Sequence, residues 1–134
     1  MKARLIAGIG STALALMVGV QGVAAQDGAP NFMTQTFPQA GVDAAWEEFQ
    51  ALMGEGALDP KTKELVGLAV AAQVPCDYCV YYHTKAANAH GATEEEIKEA
   101  LASAALVRKW STMLHGSQYS MEEWRQEVDA MFAQ

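Results

Sequence analysis

The chain has 134 residues, sixteen acidic and nine basic, with a formal net charge of −7. An acidic surface without basic clusters argues against nucleic acid and anionic membranes as partners. Hydrophobic residues make up 51% of the chain, enough for one domain with a real core, although a domain this small gains from oligomerisation.

Lys2 and Arg4 precede an apolar run from Leu5 to Val20, and the small residues of Val23-Ala24-Ala25 follow it. The pattern is that of a secretory signal peptide over residues 1–25, cut after Ala25. Gly8, Gly10, Ser11, Thr12 and Gly19 dilute the run, which also falls short of the roughly 20 apolar residues of a membrane span. The expectation is a periplasmic or secreted protein with no membrane attachment after cleavage. Cleavage removes two of the nine basic residues and none of the sixteen acids, leaving a net charge of −9. In such an oxidising compartment a dithiol stays reduced only if something reduces it.

Residues 26–42, QDGAPNFMTQTFPQAGV, hold no sustained period and read as an extended arm or linker. From 43 to 134 the punctuation is helical, with no alternating strand pattern, so the fold class is all-α with about five helices. Asp43 caps a first helix that places Ala45, Phe49 and Met53 or Leu52 on one side and ends near Gly54 and Gly56. Asp59-Pro60, a cap followed by proline at the first helical position, starts a second one that runs to about Val74 and is apolar almost all round beyond Glu64. Pro75 breaks it. A third helix is expected from Cys76 or Asp77 to Ala89, with Gly91 as its stop.

Thr93 with Glu96 forms a capping box opening a long helix through Ile97, Leu101, Ala104, Val107 and Leu114 to Gly116. Ser120 with Glu123 repeats that signature and starts a last helix through Met121, Trp124, Val128, Met131 and Phe132.

Cys76 and Cys79 are the only cysteines, and they stand in Pro75-Cys76-Asp77-Tyr78-Cys79-Val80-Tyr81-Tyr82-His83. At helical spacing Cys79 and His83 share one face, one turn apart. A thiol reacts as thiolate. The N-terminal pole of the helix and a neighbouring imidazole both favour that form, from an ordinary pKa of about 8.5. Tyr78 and Tyr82 are expected as walls of a substrate pocket, Tyr81 as packing, and Trp110 and Met113 as core or subunit-interface residues. His90 and His115 each precede a glycine at a helix end, where they compensate the helix dipole.

The stretch Leu58-Asp59-Pro60-Lys61-Thr62-Lys63-Glu64-Leu65, the cysteine motif, and Gly91-Ala92-Thr93-Glu94-Glu95-Glu96-Ile97 together resemble the carboxymuconolactone decarboxylase superfamily in its alkylhydroperoxidase D-like branch. The resemblance covers roughly residues 42–116. It implies a helical bundle with the CxxC at the N-terminus of a central helix, no cofactor, and a homo-oligomer, trimeric or hexameric. It also implies a peroxidase or thiol-disulfide oxidoreductase in which Cys79 meets the hydroperoxide, Cys76 resolves it, and Glu64 and His83 relay protons. The family's characterised members carry a second histidine where this chain has Tyr78. They are longer, and they draw electrons from a cytoplasmic lipoylated protein, a donor not expected outside the cytoplasm. The thiol reductant here is therefore unknown.

Four other readings compete. A purely structural bridge over so short a loop contributes only about 2 kcal/mol in the chain-entropy treatment. It would suit a non-enzymatic binding module. A metal site from Cys76, Cys79, His83 and His90 lacks the second ligand pair that structural zinc normally takes. A cofactor-free decarboxylase or isomerase would use Glu64 and His83 as acid and base. Glu64 could instead sit in an exposed first turn beside Lys61 and Lys63.

Overall fold

The computed structural model describes residues 28–133, all of whose regular structure is helical. The signal peptide expected over residues 1–25 lies outside them. Six α-helices follow one another: α1 Asn31–Thr36, α2 Val42–Met53, α3 Pro60–Gln73, α4 Asp77–Ala89, α5 Glu94–Ser117 and α6 Met121–Phe132, with a 3₁₀ turn at Gln39–Gly41 before α2. The segment expected to be an extended arm is in part helical, and this accounts for the helix beyond five. Phe32 and Phe37 of this region stay exposed, but Met33 is buried and pins α1 to the domain.

Most helix boundaries follow from local chemistry. Asp59 caps α3 by accepting from the Thr62 backbone N–H at 3.0 Å and the Thr62 hydroxyl at 2.6 Å. The capping box of α5 closes both ways, with Glu96 N–H donating to Thr93 Oγ1 at 3.1 Å and Thr93 N–H donating to Glu96 Oε2 at 2.7 Å. Gly91 adopts φ +80° after α4, a left-handed conformation that costs glycine nothing. Ala92 N–H can then reach the Ala87 carbonyl at 2.9 Å. Two ends differ from expectation. α2 begins at Val42 with Gly41 as its cap, leaving Asp43 in the first turn. α5 runs past Gly116 to Ser117 and is ended by Gln118 at φ 52°.

α3 is the centre of the packing, lying against α4 and α5 and touching α2. Leu68 on α3 and Val42 at the start of α2 are the large, fully buried side chains, and Met33, Ala71, Ala86, Ala87 and Ala104 join them in the core. Alanines at these positions let the helix backbones approach closely, and the cost is little apolar area per residue. Lys61 on α3 donates to Glu96 on α5 at 2.7 Å. This bond, followed by the backbone N–H of Thr93, holds the Glu96 carboxyl down to about 2.

Much of the remaining apolar surface is open. Val66 and Val70 on α3 and Val74 just past its end recur every four residues and are exposed, as are Leu106, Val107, Trp110 and Met113 on α5 and Met131 and Phe132 on α6. Trp110 and Met113 are thus not core residues of this chain. Tyr81, expected to pack, is exposed as well, with Lys85 Nζ 5.7 Å from its ring centroid.

Candidate active site

The corner between α3 and α4 is made by Val74 and Pro75, and it brings Cys76 to the N-cap of α4. Cys76 N–H turns back to the Ala71 carbonyl at 3.1 Å, which ties the first cysteine to the end of α3. Its Sγ accepts from Cys79 N–H at 3.2 Å, in the manner of a capping serine. The two cysteines are joined in a disulfide with a Cα–Cα separation of 5.2 Å, and both are half-buried.

One turn on from Cys79, His83 points back onto α3, where its Nδ1 lies 2.6 Å from Glu64 Oε2. Glu64 is 2% exposed, which rules out the exposed-turn reading of that residue. Burying a carboxyl without a partner costs several kcal/mol, so the pairing with His83 is what makes this position tolerable. The His83 side chain keeps 17% of its surface open, so the pair joins a buried group to a reachable one. In the tautomer protonated at Nδ1, His83 donates to the Glu64 carboxylate and keeps Nε2 as the ring nitrogen that can exchange a proton.

Two further features shape the pair: Gly67, which the sequence reading does not single out, and the aromatic contact of Phe49 with Tyr82. Gly67 lies one turn after Glu64, and a Cβ there would sit 2.5 to 2.9 Å from three atoms of the His83 ring. The glycine therefore leaves the slot in which the imidazole rests. Its signal in the sequence is a helix-interior glycine that costs about 1 kcal/mol against alanine. Phe49 of α2 meets Tyr82 edge-on at 5.7 Å, and Tyr82 meets the His83 ring edge-on at 5.3 Å. This aromatic contact fixes the outer side of the imidazole. Burial pushes the Tyr82 phenol up, and the charge of Glu64 adds to it.

The structure joins Cys76 and Cys79 in a disulfide at the start of α4 and sets His83, one turn on from Cys79, against Glu64 of α3, with Tyr82 beside the imidazole. Tyr82 also borders a shallow groove with Lys85, Ala86 and Ala89. Tyr78 does not close a pocket around the sulfurs, since the residue is 90% exposed. His90 caps the far end of α4, and no cluster of three metal-ligating side chains occurs among the described residues.

Comparison with known proteins bears on the family and the fold. The model of the carboxymuconolactone decarboxylase family matches residues 40–120. The chain is 38% identical over 68 residues to uncharacterized protein 4 in the cox locus of Paracoccus denitrificans, covering 51% of this chain and 61% of that one. It is 43% identical over 63 residues to an uncharacterized protein of Cupriavidus necator, covering 44% and 56%. It thus spans about three fifths of the length of these curated relatives.

Among solved structures, the alkylhydroperoxidase AhpD core from Rhodospirillum rubrum superimposes with a TM-score of 0.60 at 36% identity, over 65% of each chain. A protein from Methanobacterium thermoautotrophicum does so with a TM-score of 0.55 at 34% identity, over 65% of this chain and 96% of that one. The fold and the CxxC disulfide fit a redox role. The chain belongs to the carboxymuconolactone decarboxylase family, in its alkylhydroperoxidase D-like branch.

Proposed function

We propose that this protein is a secreted or periplasmic thiol redox enzyme that reduces hydroperoxides, or exchanges disulfides, through Cys79 and Cys76. The observation that carries the reading is the buried 2.6 Å Glu64–His83 pair set one turn from Cys79. A structural bridge would have no need of a buried acid-base pair beside it.

In the reduced protein, His83 takes the Cys79 proton and Glu64 holds the imidazole in register. The start of α4 favours the resulting thiolate. The thiolate attacks one oxygen of the hydroperoxide; the O–O bond breaks, and the alkoxide leaves as alcohol with a proton returned by His83. Cys79 becomes a sulfenic acid, and Cys76 displaces its hydroxyl as water to form the disulfide. Two electrons and two protons from an external dithiol of unknown identity then restore both thiols. With a disulfide substrate, Cys79 instead forms a mixed disulfide that Cys76 resolves.

The same proposal includes self-assembly, as a trimer or hexamer, through the exposed apolar faces of α3 and α5. Isolated apolar patches larger than a few hundred Å² are rare on monomers. The chemistry is tested by the rate at which reduced protein loses its two thiols to an organic hydroperoxide. Wild type should outpace a free small thiol, and Cys79→Ser should not. Equal rates for Cys79→Ser and wild type would sink the reading. They would turn attention to acid-base chemistry by Glu64 and His83, which form their pair while the cysteines are oxidised.

A further inference from the structure

A second network ties the end of α3 to α5 and has no part in the scheme above. Gln73 is the last residue of α3, and its side chain donates from Nε2 to the Ala104 carbonyl of α5 at 2.7 Å. Arg108, one turn further along α5, donates from Nε to Gln73 Oε1 at 2.6 Å and from Nη2 to the Gln73 backbone carbonyl at 3.2 Å. The carbonyls at the end of α3 are otherwise met from within the turn, Val70 by Val74 N–H at 3.0 Å and Ala71 by Cys76 N–H at 3.1 Å. Gln73 thus has its carbonyl answered by a cation from another helix.

The position matters because of what adjoins it. α3 ends three residues before Cys76, so its C-terminal carbonyls, the negative pole of the helix, sit beside the start of α4. The positive pole of α4 stabilises a thiolate at Cys79, and the negative pole of α3 opposes it. A guanidinium fastened to the last carbonyl of α3 cancels the opposing pole. We propose that Arg108 is a positioning residue of the redox site: held on the end of α3 by Gln73, it neutralises the pole that α3 would otherwise turn toward the cysteine sulfurs.

The other ionisable groups on the elements that meet here are Asp77 in the first turn of α4, the Glu64–His83 pair between α3 and α4, and Lys109, next to Arg108 in the chain and exposed. Removing a cation that favours the thiolate disfavours the reduced form. The couple should therefore become more reducing and the thiol harder to ionise. A charge at an exposed helix end typically shifts an equilibrium about threefold, which for two electrons is about 14 mV.

The inference rests on the proposed redox use of the cysteines, and its test needs no peroxide, so the two can fail separately. Wild type, Arg108→Met, Arg108→Lys and Lys109→Met are equilibrated with a glutathione buffer at about pH 8 and low salt, and Cys79 is titrated by its alkylation rate. Arg108→Met should shift the equilibrium about threefold toward disulfide and raise the Cys79 titration midpoint, with both differences shrinking in 1 M salt as charge effects do. Arg108→Lys, which keeps the charge but not the two-point attachment, should fall between. Lys109→Met should match wild type.

An unchanged equilibrium in Arg108→Met, a shift equal to that of Lys109→Met, or one indifferent to salt would overturn the proposal. Should Arg108→Met fail to fold, Gln73→Met removes the anchor while keeping the cation and should give a smaller shift of the same sign. No shift there would likewise count against it.

Discussion

At the contact between α3 and α4 the helices close on Leu68, Ala71, Ala86 and Ala87, with Glu64 buried among them; along α5 and α6, Val107, Trp110, Met113, Met131 and Phe132 stay exposed. Both regions are rich in apolar residues, so hydrophobicity alone does not separate them. Side-chain size does. Alanines on facing helices, with Gly67 one turn after Glu64 leaving room for the imidazole, let α4 come down onto α3 and take a polar pair inside. Among the described residues, no facing helix covers the larger residues of α5.

The comparison can be broken most severely at the polar pair. Replacing His83 by Ala should slow the reaction of Cys79 with hydroperoxide by about 10² to 10⁴, the usual contribution of a placed acid-base group. Stopped-flow kinetics measure it, and an unchanged rate would reduce the pair to a structural contact. Next comes the apolar core of the same contact: Leu68, at 0% exposure, should cost about 2 to 5 kcal/mol when cut to Ala, read from urea unfolding.

A smaller and pH-dependent effect is expected where α3 meets α5. The Glu96 carboxyl is held at about 2, below its ordinary 4.5, first by its hydrogen bond from Lys61 and then by Thr93. A depressed folded value means that the stabilisation is present above about 4.5 and fades as the pH falls toward 2. Glu96→Gln should therefore lower the thermal midpoint at neutral pH, and the gap from wild type should close across that window. A gap that persisted at pH 2 would show the bond to act by geometry alone.

The smallest effect belongs to the open face. Val107, 69% exposed in the single chain, should cost no more than about 0.5 kcal/mol when replaced by Ala in dilute monomer. If copies assemble through this face, that cost should grow with protein concentration. Sedimentation of Val107→Ala beside wild type would sharpen the contrast between the two regions.

How far the sequence discloses this arrangement varies with the range of the interaction. Asp59 before Pro60, Thr93 with Glu96, and Pro75 before Cys76 are local signals, and the ends they mark are where the structure places them. The register of Cys79 and His83 is equally local. That Glu64 faces His83 is a contact across nineteen positions, legible only through the family resemblance. Gly67 was missed because a helix-interior glycine has no local reason. The residues of α1 were missed as a helix because its six residues are held by the burial of Met33, a tertiary effect no short window contains. Tyr78 and Tyr81 were assigned by residue type, and they lie on the outward face of α4.

The most direct measurement is to locate the sulfenic acid. Reduced Cys76→Ser protein is treated with one equivalent of organic hydroperoxide in the presence of a sulfenic-acid trap and mapped by mass spectrometry. Modification at Cys79, lost when His83→Ala is added, is the result expected. A trap that marks no cysteine, or marks Cys76 in the Cys79→Ser protein just as quickly, would contradict the assignment of Cys79 as the sulfur that meets the peroxide.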